Sequence, residues 1–362
     1  MFGPKHYVPI LKWKRAEQSA LHALNAEDRR LMTPLVQLVM PKPKSTANPD
    51  ESLISRFREK IPELPKQILK AWGQGAIFID FSLLHTTGLK VESLKNITAS
   101  GHSIGLHLIP VLNLSDSSEL KKAGFAVAKK YSSGICLRLV PYDLSDIGKL
   151  DREIKTFLAE GGLREEDVDL LVDTKEIEQN GVYAKNVKAS QQIPNLSNWR
   201  TFIFASGAFP ADMSAYDIED ENLIPRLDWR YWRDQLNEKN VSRKPTFADY
   251  TIQYPIYKES SQFFPPTTTI KYALEADWYI MKGKKQIFEM YLAHANQLVK
   301  EEGRFCGEEF SFGDRYIAEK ARHFPVYMRN KEVKGTGSTE TWLTAGINHH
   351  LVLTARQVAN LP

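Results

Sequence analysis

Polar residues interrupt the apolar runs of this sequence, one in the middle or last third of nearly every run. A charge in a dry core costs several kcal/mol unless it is paired. Asp80 within AIFIDFSLL and Arg138 within ICLRLV therefore indicate chemistry rather than accident. These polar residues are Lys12, Gln37, Asp80, Arg138, Asp173, Ser206 and Asp249. If Asp80 and Arg138 face the interior, we expect them to converge on one cavity with Lys12, Asp173 and Asp249.

Two kinds of chemistry suit these residues. Asp80 and Asp173 are candidates to position a divalent cation such as Mg²⁺ through hard oxygen ligands, or to act as a general base. Lys12 and Arg138 are candidates to bind a phosphate or carboxylate group. The supporting candidates are Gln37, Ser206 and Asp249 for ligand binding and His85, just after the third run, for acid–base work. The alternative is an internal salt-bridge network with no further role.

Arg138 gives the sharpest expectation. The opposite face of its strand is purely aliphatic and suits packing against outer helices, so the arginine face belongs to the interior. A guanidinium cannot lose its proton there and needs a partner. We therefore predict that Arg138 points inward and contacts Asp80, Asp173 or an anion held between them. The aliphatic residues of the opposite face are Ile135, Leu137 and Leu139.

Eight short apolar runs, rich in β-branched and aromatic residues, predict buried strands, and amphipathic stretches lie between most of them. The spacing of the runs is close to that of a strand–helix unit. Eight units predict a (β/α)8 TIM-barrel-like α/β fold with its functional residues at the carboxyl ends of the strands. An open, doubly wound sheet is the rival. The runs cover residues 7–12, 34–40, 76–84, 105–112, 135–140, 169–173, 201–206 and 246–250.

Two segments do not fit this strand–helix spacing. Residues 206–227 predict a long acidic loop, and 267–285 an inserted β-hairpin. The stretch 286–302 predicts a helix that closes the last unit. Residues 303–362 then form a helical extension packed on the barrel, which itself spans residues 1–302.

Composition and missing motifs exclude several classes of protein. The formal net charge of +4 is too small to indicate a dedicated nucleic-acid binder. Two cysteines cannot form a disulfide framework. No apolar run has the length of a membrane-spanning helix, so we expect a soluble cytoplasmic protein. The adjacent His349 and His350 point about 100° apart on a helix, so we expect a packing or capping role with one ring exposed.

The two ends of the chain carry a resemblance. YVPILKWKRAEQSALHAL opens it, and FGDRYIAEKA followed by STETWLTAGINHHLVLTARQVA closes it. These segments, with the Gly313–Asp314 pair and Trp342 before Asn348, resemble the beta protein family of phages and of bacterial mobile or defence-associated loci. The resemblance implies a barrel-like fold and a role in phage–host conflict. It brings no established reaction or catalytic residue.

Together these observations favour a barrel that binds a small anionic ligand, such as a nucleotide or phosphate ester, at its carboxyl-terminal face. Phosphodiester-type hydrolysis in phage defence is the activity we expect there. The alternative is a non-catalytic interaction module that recognises a phage or partner protein through the acidic loop, the hairpin and the C-terminal helices.

Overall fold

A closed barrel of eight parallel strands forms the centre of the computed structural model. The structure describes residues 2–41, 49–177, 181–218, 221–238, 241–257, 267–331 and 334–361. Strand pairing runs β1-β2-β3-β4-β5-β6-β7-β9 and closes between β9 and β1. The barrel strands are β1 (Tyr7–Lys12), β2 (Leu35–Gln37), β3 (Ala76–Asp80), β4 (His107–Asn113), β5 (Ile135–Leu139), β6 (Val168–Glu176), β7 (Thr201–Gly207) and β9 (Thr246–Asp249). All eight predicted runs are therefore barrel strands, and the open-sheet rival is wrong.

Helices follow the strands around the outside of the barrel. The helix bounds are α1 (Arg15–His22), α2 (Ala26–Arg30), α3 (Pro49–Lys60), α4 (Leu64–Trp72), α5 (Thr87–Ser103), α6 (Ser118–Tyr131), α7 (Ile147–Gly161), α8 (Val182–Ser190), α9 (Leu227–Asn237), α10 (Glu289–Leu298), α11 (Phe312–Arg329) and α12 (Thr339–Ala359). The stretch 52–72, which reads as one helical pattern, is divided by a 3₁₀ turn at Ile61–Glu63. Pro62 lies in that turn, where a proline ring cannot continue an α-helix.

The inserted hairpin is present as β10 (Thr267–Ala273) and β11 (Asp277–Lys285), which pair antiparallel. The sequence predicted a loop over the whole segment 206–227, but part of it is a strand. It contains β8 (Asn222–Pro225), which pairs with β11 and completes a three-stranded sheet. Four residues within an acidic stretch give too short a pattern to predict a strand that forms only against a distant hairpin.

The helix that covers the last barrel strand is α12, not the helix predicted over 286–302. Helix α12 packs against α1 and β1, and its His350 bonds Asp249 of β9. Helix α10 instead buries Tyr291 and Leu298 against the hairpin, so its apolar side is already occupied. The helical C-terminal extension thus supplies part of the barrel's outer layer.

Side chains alternate strictly along the barrel strands. An inner cluster fills the barrel, and a larger outer core lies between strands and helices. The inner cluster contains Val8, Ile10, Leu35, Phe78, Ile109, Val111, Cys136, Leu171, Ile203, Ala205, Ala248 and Tyr250. At its carboxyl end this apolar filling gives way to polar residues. None of the described helices is long and apolar enough to span a membrane.

Candidate functional site

Arg138 lies at the centre of a polar cluster at the carboxyl ends of the barrel strands. It is only 2% exposed, and its strand turns Cys136 inward and Leu137 and Leu139 outward, as predicted. Its Nη1 atom lies 2.8 Å from Asp80 Oδ2, and its Nε atom lies 3.5 Å from Asp173 Oδ2. The predicted contact of Arg138 with the two carboxylates is confirmed.

Asp80 is held from several sides. Gln37 Nε2 donates a 2.8 Å hydrogen bond to Oδ2. The backbone N–H and the hydroxyl of Ser82 donate to Oδ1 and Oδ2 at 2.8 and 2.9 Å. Burial alone would raise the pKa of Asp80, but Arg138 and these donors outweigh it and lower the pKa to about 2. Lys12 pairs in register with Gln37, and Gln37 pairs with Asp80. The three residues therefore lie side by side on adjacent strands.

Asp173 is engaged by a tyrosine and a second lysine. Tyr250 donates its hydroxyl to the carboxylate at 2.7 Å, and Lys175 Nζ lies 2.7 Å from Oδ2. Lys175 Nζ also donates to the Tyr250 hydroxyl at 2.9 Å. Burial opposes ionisation of Asp173, but Lys175 and Arg138 hold its pKa below the ordinary value. Lys175 adopts the left-handed backbone region with φ 60°, an unusual conformation that this network maintains.

Lys12 brings a third cation to the cluster. It is 4% exposed, and its Nζ donates to the Tyr254 carbonyl at 2.8 Å. Lys12 Nζ and Lys175 Nζ each lie 5.4 Å from the centroid of the Tyr250 ring. Burial, reinforced by the charges of Lys14 and Lys175, lowers the pKa of Lys12 to about 8. Glu17, whose charge acts on Lys12, has its own pKa raised by burial.

The donors of Arg138 are not all satisfied. Among the described residues neither Nε nor Nη2 has a hydrogen-bond partner, although both atoms are buried. A buried N–H without an acceptor costs about 1–3 kcal/mol. Three cationic side chains here face two ionised carboxylates, so an added negative group would satisfy both the open donors and the local charge.

Three predicted site residues lie outside this cluster, and Asp249 among them corrects the expected convergence. Asp249 faces the outer helices, where Tyr7 donates to Oδ1 at 2.5 Å and His350 Nε2 lies 2.8 Å from Oδ2. Ser206 is also on the outer face of its strand, β7. Alternation is the reason, since Ala248 and Ala205 occupy the inner positions beside them. His85 is exposed in the loop between β3 and α5.

Sequence reasoning missed Tyr250, Lys175, Ser82 and Asn113. Tyr250 stands two residues after Ala248 and shares its inward face, but the sequence alone does not show that this face of β9 is the inner one. Ser82 and Lys175 each follow a buried aspartate by two residues, where a backbone turn lets both bond the carboxylate. Asn113 is the register partner of Arg138, and its amide bonds Asp116 at 3.2 Å.

The donor set does not suit a divalent cation. Within the ranges that the structure describes, no group of three or more histidine, cysteine, aspartate or glutamate side chains converges on one point. Asp80 and Asp173 would also have to exchange close bonds to Arg138 and Lys175 for bonds to a metal. The arrangement fits an anion better than Mg²⁺.

Two cavities lie away from the cluster. One, of about 480 Å³, is lined by Phe2, Phe202 and Thr246 at the amino-terminal end of the barrel. The other, of about 420 Å³, is lined by Phe305, Ala321 and Pro325 in the extension. The first is also lined by Arg243, which donates to the Trp199 carbonyl, and by Lys244. The Arg138 cluster differs in that buried guanidinium donors lie there beside two carboxylates without all being satisfied. We therefore assign the candidate site by its chemistry rather than by cavity volume.

The two adjacent histidines of α12 are both fully buried, so the expected exposed ring is wrong. His349 faces acceptors with both ring nitrogens, Asp314 Oδ2 and the Ala273 carbonyl, each at 2.8 Å. His350 uses one nitrogen on Asp249 and leaves Nδ1 without a partner among the described residues. Burial lowers the pKa of His350. These residues fasten α12 to the barrel and the hairpin.

Helix α9 is rich in aromatic residues and arginine, and both of its tryptophans are buried. Trp229 and Trp232 are 2% and 1% exposed, and they pack on Phe247 of the barrel. Arg226 is buried as well, and it donates to Thr354 and to Gln357. Helix α9 therefore packs both tryptophans against the barrel.

Comparisons with known proteins found one family and several solved structures. A family model described as Beta protein matches residues 7–356. Among solved structures, two mutant tryptophan synthase alpha-subunits from Pyrococcus furiosus are similar at 12% and 10% identity, with TM-scores of 0.39 and 0.37. Each comparison covers 69% of this chain and 89% of the other. No curated protein matches the sequence.

Proposed function

The chain belongs to the Beta protein family, and we propose that its barrel binds a small anionic ligand of the phosphate-ester or nucleotide class. The binding group is Arg138, with Lys175 and Lys12 beside it. One observation carries the proposal: the buried Nε and Nη2 atoms of Arg138 make no hydrogen bond to any described residue. A guanidinium presents its donors in a planar fork that matches two oxygens of a phosphate or carboxylate.

Entry of such a ligand requires part of the segment 250–257 to move. This segment follows β9, and its Tyr254 carbonyl accepts the hydrogen bond of Lys12. Gln253 donates to Glu17, and Tyr254 donates to Glu176. Residues 250–252 are buried, so the movement concerns residues 253–257. A phosphate could then replace the Tyr254 carbonyl as the acceptor for Lys12.

The geometry favours binding over hydrolysis. A general base works best with a pKa near the working pH, whereas Asp80 has a pKa of about 2 and Asp173 is likewise held below its ordinary value. Phosphodiester hydrolysis and a role in defence against phage remain our proposals for the biological setting. Hydrolysis would need a base other than these two carboxylates.

The test measures thermal stabilisation by inorganic phosphate and by adenosine monophosphate, against sodium chloride at equal ionic strength. We expect a rise of a few degrees in the wild type, as for a ligand that binds only the folded state. Arg138→Lys keeps the charge but removes the fork, so the rise should vanish. Arg200→Lys is the matched control, because Arg200 forms a similar ion pair with Asp169 at the opposite end of the barrel. A rise that survives in Arg138→Lys would refute the proposal.

A second candidate function is a protein-interaction module. Large apolar side chains of the extension and of the loop before α10 are exposed, with Ile287, Phe288, Val326 and Met328 between 37% and 52% accessible. Exposed apolar residues in proximity favour a protein partner. A plaque assay in phage-infected cells separates the two functions. Loss of protection with Met328→Ser but not with Arg138→Lys would favour the module and contradict the anion site.

A further inference from the structure

We propose that Lys12 is a nucleophilic amine that forms an imine with an aldehyde or ketone bearing an anionic group, the anionic group being held by Arg138. This inference rests on the anion site proposed above and names its substrate class. It concerns a lysine at the carboxyl end of β1, inside the same polar cluster.

The first support is the placement of the amine. Lys12 is 4% exposed, and no salt bridge joins it to a carboxylate among the residues described. Its only described hydrogen bond goes to a neutral acceptor, the Tyr254 carbonyl. A buried ammonium without a carboxylate is poorly compensated, so loss of its proton costs less than at the surface. The pKa of about 8 agrees with this geometry.

The second support is the contrast with Lys175. Both nitrogens lie at the same distance from the Tyr250 ring, but Lys175 Nζ is 2.7 Å from Asp173 Oδ2. Lys175 thus has a carboxylate as its ion-pair partner, whereas no salt bridge of Lys12 is present among the described residues. The cluster thus contains one cation fixed by a carboxylate and one amine free of such a partner. The first suits an anionic group, and the second suits a carbonyl carbon.

Imine formation balances without any oxidant or reductant. The neutral Nζ adds its lone pair to the carbonyl carbon, and one nitrogen proton passes to the carbonyl oxygen to give a carbinolamine. The hydroxyl then leaves as water with the second nitrogen proton, and a C=N bond remains. Displacement of the Tyr254 carbonyl releases the N–H that holds Lys12 Nζ in place and opens the space beside it for the substrate carbonyl.

Lys271 provides an internal control. It is a partly buried lysine of β10 whose Nζ also donates to a backbone carbonyl, that of Ile252, at 3.2 Å. Burial lowers its pKa to about 8 as well. Its neighbour is the Phe209 ring rather than the Arg138 cluster. Burial alone therefore predicts equal reactivity for the two lysines, whereas an anion site predicts a preference for Lys12.

The experiment treats the full chain near neutral pH with limiting pyridoxal phosphate, reduces it with borohydride and maps the modified lysines by peptide mass spectrometry. Pyridoxal, which lacks the phosphate, is run in parallel. We expect Lys12 to be modified at least about tenfold more than exposed lysines, because a much larger fraction of it is neutral. Inorganic phosphate should protect Lys12, and Lys271 should show no preference for the phosphorylated reagent.

The outcomes separate this inference from the proposed function. An unmodified Lys12, in protein that phosphate still stabilises through Arg138, would overturn the reactive amine and leave the anion site intact. Modification of Lys12 by pyridoxal as efficiently as by its phosphate would overturn the anionic substrate class and the anion site together. Equal modification of Lys12 and Lys271 would attribute the reactivity to burial alone and also refute the inference.

Discussion

Arg138 and Asp80 meet inside the barrel across an intervening strand. They belong to β5 and β3, and their side chains join over β4, with Arg138 Nη1 2.8 Å from Asp80 Oδ2. Both residues are almost fully buried, at 2% and 0% exposure. Each therefore depends on the other for the compensation that water would provide at the surface.

Replacing Arg138 by Met should lower the free energy of unfolding by about 3–5 kcal/mol. Methionine fills a similar volume, so the cost comes from leaving Asp80 and Asp173 buried without their shared cation rather than from a cavity. Urea unfolding at neutral pH measures the effect. Asp80→Asn added to Arg138→Met should restore part of the loss, and a double variant with fully additive losses would show that the two side chains are not coupled.

Asp80 should contribute to the acid stability of the protein. Its folded pKa of about 2 lies below the ordinary 3.8, so its pairing stabilises the fold above about pH 4 and is lost as the pH falls toward 2. The contribution is about 2 kcal/mol at neutral pH. Urea unfolding across this range should therefore show a shallower loss of stability in Asp80→Asn than in the wild type. Glu153→Gln at an exposed site serves as control, and an unchanged acid slope in Asp80→Asn would contradict the pairing.

The barrel could be predicted because each strand is a continuous apolar run at regular spacing. The position of α12 could not be predicted in the same way. This helix is buried on nearly all sides, so its sequence shows no polar face to indicate which neighbour it contacts. Its place outside β9 and β1 depends on His350 and Asp249, a pair separated by 101 residues.

The candidate site was predictable only where one strand face is unambiguous. On β5 one face is wholly aliphatic, and this placed Arg138 correctly. On β9 both Phe247 and Ala248 are apolar and face opposite sides, so alternation did not decide between Asp249 and Tyr250. Strand β7 poses the same problem for Ser206, because the faces carrying Phe204 and Ala205 are equally apolar.

Asp249→Asn should destabilise the protein without affecting anion binding. The carboxylate accepts hydrogen bonds from Tyr7, from the Thr251 backbone N–H and from His350, so an amide group turns a donor toward a donor. We expect a loss of about 1–3 kcal/mol in urea unfolding. The stabilisation by phosphate should persist, because Asp249 lies outside the barrel interior. If the Asp249→Asn variant folds but phosphate no longer stabilises it, Asp249 takes part in anion binding.

The Lys175→Gly variant should be more stable than the Lys175→Ala variant, although both replacements remove the bond to Asp173. The φ of 60° at this position is costly for any residue with a Cβ atom and free of that cost for glycine. We expect Lys175→Gly to exceed Lys175→Ala in unfolding free energy by about 1 kcal/mol. Equal stabilities would show that this backbone relaxes once the ion pair is gone.

Gly313 allows α11 to approach α12 closely, so Gly313→Ala should destabilise the extension. A Cβ atom there would lie 2.2 Å from the Ala345 carbonyl oxygen, which is backbone and cannot turn aside. Gly313 N–H also donates to Asn348 Oδ1 at 3.0 Å, a bond that any separation of the helices would break. We expect a loss of about 3 kcal/mol, at the upper end of the range for overpacking. Gly88→Ala is the matched control, since Gly88 lies in α5 with no atom within 4 Å of the added Cβ, and it should stabilise by about 0.5 kcal/mol. Similar urea midpoints for the two variants would mean that the helices separate at little cost.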